Sequence, residues 1–186
     1  MRPIPEECRL HASPSGQFVL TVDTYAEPGS DWNFTRGVMR EVGTEEVIAD
    51  IRRAASSFLF AWVEHPQGEF LVCGEDPEGY NVIDIRRGIN VCTPPDGSGF
   101  NWLTIYPSPD GRVLAVEGCV WGFPNQVVFL NFADPLKSPL PEIARFAMPT
   151  DIQGWVSDTT FKFTRFKVAE REYESIAWTR AGYHTR

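Results

Sequence analysis

The sequence predicts an all-β chain built from a repeated unit, and three observations predict it. Aromatic residues make up 13% of the chain while Gly and Pro number fifteen each, a mixture that suits many short strands joined by tight turns. Runs such as Phe70-Leu71-Val72-Cys73 and Val113-Leu114-Ala115-Val116 are apolar at successive positions, which in a strand means burial on both faces. A Pro-x-Gly turn occurs three times, at Pro14-Ser15-Gly16, Pro66-Gln67-Gly68 and Pro109-Asp110-Gly111, each before an apolar run and with the glycines 52 and 43 residues apart. Proline pre-sets φ at the second position of such a turn, and glycine takes the positive φ that reverses the chain.

Taken in order, residues 1–12 are polar and read as a lead-in, and residues 17–23 form the first apolar strand. A loop over 25–33 is rich in Gly, Pro, Asp and Ser, and strands over 35–42 and 45–51 flank a Gly43-Thr44 turn. The segment from Glu45 to Ala55 has helical propensity, but its place where an outer strand belongs favours strand. Residues 58–63, 69–74 and 80–85 make the second group, and 101–106, 112–117 and 126–132 the third. Residues 134–153 hold Pro135, Pro139, Pro141 and Pro149 and suit an outer connection with a short edge strand over 143–146. Trp155 to Thr160 replaces the Pro-x-Gly turn in a degenerate fourth copy, with strands over 161–168 and 173–179. The expected organisation is a single domain, 1–186, with approximate repeats at 13–55, 56–98, 99–147 and 148–186. Each repeat is the size of a four-stranded antiparallel blade, so the fold class is a small propeller-like array of about four blades, closed or an open arc. A β-sandwich or jelly roll is the alternative.

Ser108-Pro109-Asp110-Gly111-Arg112-Val113-Leu114-Ala115-Val116 resembles the turn and strand of WD-like β-propeller repeats, of the kind in bacterial translocation and peptidase propellers. The Gly-His and Trp-Asp dipeptides of true WD repeats are missing, so the resemblance is to the looser superfamily. The segments Cys73-Gly74-Glu75-Asp76 and Val116-Glu117-Gly118-Cys119-Val120-Trp121 are also similar to those of small uncharacterised bacterial propeller-like proteins.

The net charge of −8 argues against nucleic acid and anionic membrane as partners, because a phosphate surface calls for clustered Lys and Arg. It suits a basic protein partner, or simple solubility. The first residues lack the apolar core of a secretory signal, and no apolar run has the length of a spanning helix. Cys8, Cys73, Cys92 and Cys119 are widely spaced and read as free thiols of a cytoplasmic protein.

Acidic residues recur where the first apolar strand of each copy ends, at Asp23, Glu75 and Asp76, and Glu117. If equivalent strand ends gather on one face, these carboxylates make a partner-binding surface, or oxygen ligands for a divalent cation such as calcium. Aromatic residues stand beside them in Trp32 and Phe34, Tyr80, and Trp121 with Phe123. Tyr80 and Trp121 join the carboxylates as candidate contacts, while burial statistics favour Trp121 and Phe123 as plugs between blades. His11, His65 and His184 are scattered, and no nucleophile, P-loop or zinc motif is present. The expected function is therefore a non-catalytic interaction module, binding a protein partner or a second copy of itself, with no cofactor. A metal-dependent hydrolase or lactonase of propeller type is the alternative.

Overall fold

Strict alternation of side chains lets one strand feed two cores, and this chain uses that property throughout. The computed structural model describes residues 2–3, 8–26, 33–44, 46–54, 57–74, 78–95 and 97–185, and among them every regular element is a strand. The first sheet contains β1 (Arg2–Pro3), β2 (Arg9–Ala12), β3 (Phe18–Ala26), β4 (Asn33–Glu41) and β5 (Val47–Arg53), with β1 and β2 both paired to β3. The second contains β6 (Phe60–His65), β7 (Gly68–Gly74), β8 (Tyr80–Asp84) and β9 (Ile89–Thr93). The third contains β10 (Phe100–Pro107), β11 (Val113–Val120), β12 (Gln126–Asn131) and β13 (Glu142–Ala147). The fourth contains β14 (Pro149–Trp155), β15 (Thr160–Lys167), β16 (Glu172–Thr179) and β17 (Gly182–Thr185). Neighbouring strands are antiparallel and, apart from the pairing of β1 with β3, follow chain order. A jelly roll needs Greek-key crossovers between its sheets, and the order of these strands contains none.

Three apolar cores join the sheets in succession. Leu20, Met39 and Ile51 of the first sheet meet Leu71 and Ile83 of the second. The opposite face of the second sheet, with Phe70, Val72 and Val82, meets Leu114, Val116 and Val128 of the third. The far face of the third sheet, with Ala115, Val127 and Phe129, meets Phe161, Phe163 and Trp178 of the fourth. Polar clamps lie over these cores. Ser15 donates its backbone N–H and its hydroxyl to Glu69, at 3.0 and 2.7 Å. Leu140 N–H donates to the Tyr80 hydroxyl at 2.6 Å, and the Trp155 indole to the Tyr106 carbonyl at 2.9 Å. Among the described residues no core joins the fourth sheet back to the first. The array is an open propeller-like arc.

The expected strand over 45–51 is present as β5, and the edge strand over 143–146 as β13. The lead-in and the outer connection are less simple than their composition implies, because β1, β2 and β14 lie within them. Edge strands of this kind are short and largely exposed, as β9 and β13 are, so they lack the apolar run that marks a central strand. The three Pro-x-Gly turns also differ in length. Ser13 and Ser108 each donate N–H to the first residue of the next strand, Phe18 and Val113, across a four-residue loop. His65 instead pairs directly with Gly68, leaving only Pro66 and Gln67 in the turn.

Gly16 and Gly111 have nearly equal φ, 69° and 68°, yet their surroundings differ. Space around Gly16 is open, whereas a Cβ on Gly111 would fall on the Glu64 carbonyl of the neighbouring sheet. The left-handed backbone costs a non-glycine residue about 1–2 kcal/mol at either position, and only Gly111 adds a steric clash. Gly111→Ala should therefore lower the melting temperature well beyond Gly16→Ala, and equal losses in thermal denaturation would refute this account of the turn.

Candidate functional site

The hairpin joining β11 to β12 carries the most conspicuous surface feature of the molecule. Its base is built tightly. Gly118 has no room for a side chain against Asn101 and Phe100, Val120 pairs with Phe100 across the strands, and the chain reverses as Phe123 N–H donates to the Val120 carbonyl at 2.9 Å. Gly122 takes a φ of 80° in the turn. Asn125 donates its side-chain amide to Glu117 at 3.0 Å and accepts from Met148 N–H at 2.8 Å. Beyond this base, Trp121 is 80% exposed and Phe123 66% exposed. Their expected role as plugs between blades is overturned, because Phe100, Trp102 and Val120 already pack at that sheet junction.

Asp23 lies on β3 opposite Arg36, half-buried, and accepts a hydrogen bond from the Cys8 thiol. That bond and the adjacent charge push the Cys8 thiol up from its ordinary value. Because Leu20 and Val22 face the second sheet, alternation puts Asp23 on the opposite, outer face. Glu117 lies on β11 in register with Val127, on the side that faces the fourth sheet. The Tyr106 phenol is hydrogen-bonded to it, and burial, then the Glu117 charge, raises that phenol's pKa. The two carboxylates thus stand on different sheets and different faces. Glu75 and Asp76 lie outside the described residues, as does Trp32. Tyr80 is 8% exposed, stacked on Trp102 at 4.6 Å between the second and third sheets. Its ring and hydroxyl are engaged in joining those sheets. Among the described residues no group of three or more His, Cys, Asp or Glu stands close enough to hold a metal ion.

His65, whose turn position marked it only as isolated, is a buried titratable group. It is 8% exposed, and its ring lies edge-on to Phe70 and Phe132 at 5.7 and 6.0 Å. Nδ1 accepts the Gln67 N–H at 3.1 Å, so the neutral ring carries its proton on Nε2, which has no hydrogen-bond partner among the described residues.

No protein-family model matches the sequence. The fold is that of a β-propeller segment. Prolyl oligopeptidase B from Galerina marginata superposes with a TM-score of 0.63 at 12% identity, over 96% of this chain and 28% of that one. TolB from Acinetobacter baumannii aligns with a TM-score of 0.44 at 13% identity, over 97% of this chain and 45% of that one. In sequence the chain is similar to an uncharacterised protein of Acanthamoeba polyphaga mimivirus, 34% identical over 167 residues. The match takes in 83% of this chain and 66% of the viral protein, so the chain spans just under two thirds of that relative's length. The bacterial source that the resemblance in sequence implied finds no support in this viral relative.

Burial, followed by repulsion from Arg112, holds the His65 imidazole below the ordinary 6.5, against the weaker pull of Asp110 and Asp134. The unfolded chain then binds a proton that the folded chain refuses, so stability falls as pH drops below about 6.5 toward the lowered folded value. Urea midpoints measured between about pH 7.5 and about pH 5.5 should decline in the wild type and flatten in His65→Gln. An equal slope in both proteins would remove His65 from this role.

Proposed function

We propose that this protein is a non-catalytic binding module that docks a protein partner through the tip of the β11–β12 hairpin. The observation that carries the proposal is the exposure of Trp121 and Phe123, two residues apart on a turn with a hydrogen-bonded base. Exposed aromatic pairs of this kind supply the buried anchors of protein interfaces, at small cost in side-chain entropy. The net charge of −8 favours a basic partner by steering encounter, which suits an antagonist of such a protein. A second copy of the chain is the other protein partner the tip would serve, and light scattering distinguishes the two. The same acidic balance speaks against nucleic acid and anionic membrane. A cytoplasmic location belongs to this proposal because Cys8, Cys73, Cys92 and Cys119 form no disulfide among the described residues.

The metal-dependent hydrolase reading would require Asp23, Glu75, Asp76 and Glu117 to converge. Asp23 and Glu117 occupy different faces, which favours the binding module. A calcium-dependent rise in melting temperature would restore the metal reading.

Trp121→Ala/Phe123→Ala should leave the melting temperature within about 2 °C of wild type, since both side chains are largely in solvent. The same variant should weaken association with a partner identified by capture at least about tenfold. Undiminished association by the folded double variant would overturn the placement of the site. The variant Asp23→Asn/Glu117→Gln should slow association at low salt while leaving the aromatic anchor intact.

A further inference from the structure

A second feature lies between the first two sheets and owes nothing to the hairpin. Register places Thr24, Thr35 and Arg53 in one row across β3, β4 and β5. Side-chain alternation turns that row toward the second sheet, on the face that carries Leu20 and Val22. There a crevice of about 220 Å³ is walled by Arg9, His11, Thr24, Thr35, Phe58 and Phe60 among others. Thr35 is 2% exposed, and its hydroxyl has no hydrogen-bond partner among the described residues. A buried hydroxyl left unpaired is unfavourable unless something else completes the bond.

The described residues around this hydroxyl differ in charge from the chain as a whole. In a protein of net charge −8, no described residue walling the crevice is a carboxylate. Thr35 also borders a second cavity of about 280 Å³ at the end of the same sheet, walled by Tyr25, Phe34, Arg36, Arg52 and Arg53, again with no carboxylate among the described lining residues. The neighbouring Asp50 is committed to Arg36, whose Nε and Nη2 both donate to it. Arg9 brings a guanidinium to the crevice that holds this buried hydroxyl donor. Hydroxyl and guanidinium donors beside one another are the chemistry that holds a small oxyanion. The Phe60 ring, edge-on to His11 at 4.8 Å, and the Phe58 ring provide an apolar wall for whatever body the anion carries.

We propose that the crevice between the first and second sheets binds a small organic or inorganic oxyanion, a phosphate or carboxylate group, held by the Thr35 hydroxyl with Arg9 and His11. Arg9 is exposed at the mouth and Thr35 lies deep, so the anionic end enters first and any apolar body rests against Phe58 and Phe60.

Isothermal titration of the full chain with inorganic phosphate, phenyl phosphate and benzoate, at constant ionic strength in chloride, tests the proposal. At least one of the three should bind saturably. Binding of phosphate and phenyl phosphate without benzoate marks a phosphate site, benzoate binding marks a carboxylate site, and tighter binding of the phenyl compounds marks use of the aromatic wall. Thr35→Val removes the hydroxyl at nearly constant shape and should weaken binding about tenfold without lowering the melting temperature. Arg9→Gln, an exposed change that spares the fold, should weaken binding and flatten its salt dependence. No saturable binding of any probe, or wild-type affinity in both variants, would overturn the proposal.

Discussion

Two-sided burial of the central sheets is the constraint on which the rest of this structure depends. β7 has apolar side chains on both faces, with Phe70 and Val72 toward one neighbour and Leu71 and Cys73 toward the other. Such a strand is stable only between two sheets that each present a complementary apolar face. β11 repeats the arrangement, with Leu114 and Val116 on one side and Val113 and Ala115 on the other. Two double-faced sheets in succession require two more to flank them, and a four-sheet arc follows from that requirement. The close approach of Gly111 to Glu64 and the clamp from Glu69 to Ser15 are then consequences of sheets drawn together by their cores.

What was legible in the sequence is what this constraint writes into it. Successive apolar positions at Phe70–Cys73 and Val113–Val116 announce central strands directly, and the Pro-x-Gly turns mark where paired strands reverse. The edge strands were hidden because one exposed face and a paired edge demand little of their residues, so β2, β14 and β17 carry no composition that separates them from connections. Turn length was hidden for a different reason. His65-Pro66-Gln67-Gly68 and Ser108-Pro109-Asp110-Gly111 share their Pro-x-Gly core, but only the pairing of His65 with Gly68 distinguishes a two-residue turn from a four-residue one.

The candidate sites divide along the same line. The apolar character of Gly118–Asn125 was visible as an anomaly for a connection, but exposure was not, because Trp121 and Phe123 would read the same whether buried between sheets or projecting from them. Tyr80 illustrates the reverse case. Its loop-side position suggested a surface contact, and its stacking on Trp102 with the Leu140 N–H on its hydroxyl emerges only once the second and third sheets are apposed. The row of Thr24, Thr35 and Arg53 lay beyond any linear pattern, since it depends on the register of three strands.

The outer faces of the arc show how such an array ends without a further sheet. On the fourth sheet Lys162, Thr164, Ser175 and Ala177 alternate with the buried Phe161, Phe163, Ile176 and Trp178, and the outer face carries one aromatic pair, Phe166 with Tyr173, toward the end of the hairpin. On the first sheet the outward positions include Asp23 opposite Arg36 and the Arg36–Asp50 ion pair. A face with charged and hydroxyl side chains stays hydrated and offers little apolar area to a neighbouring sheet. The alternation that forces the inner sheets together thus also stops the stack, because the same period of two that gives an apolar face to each interior neighbour gives a polar one to water.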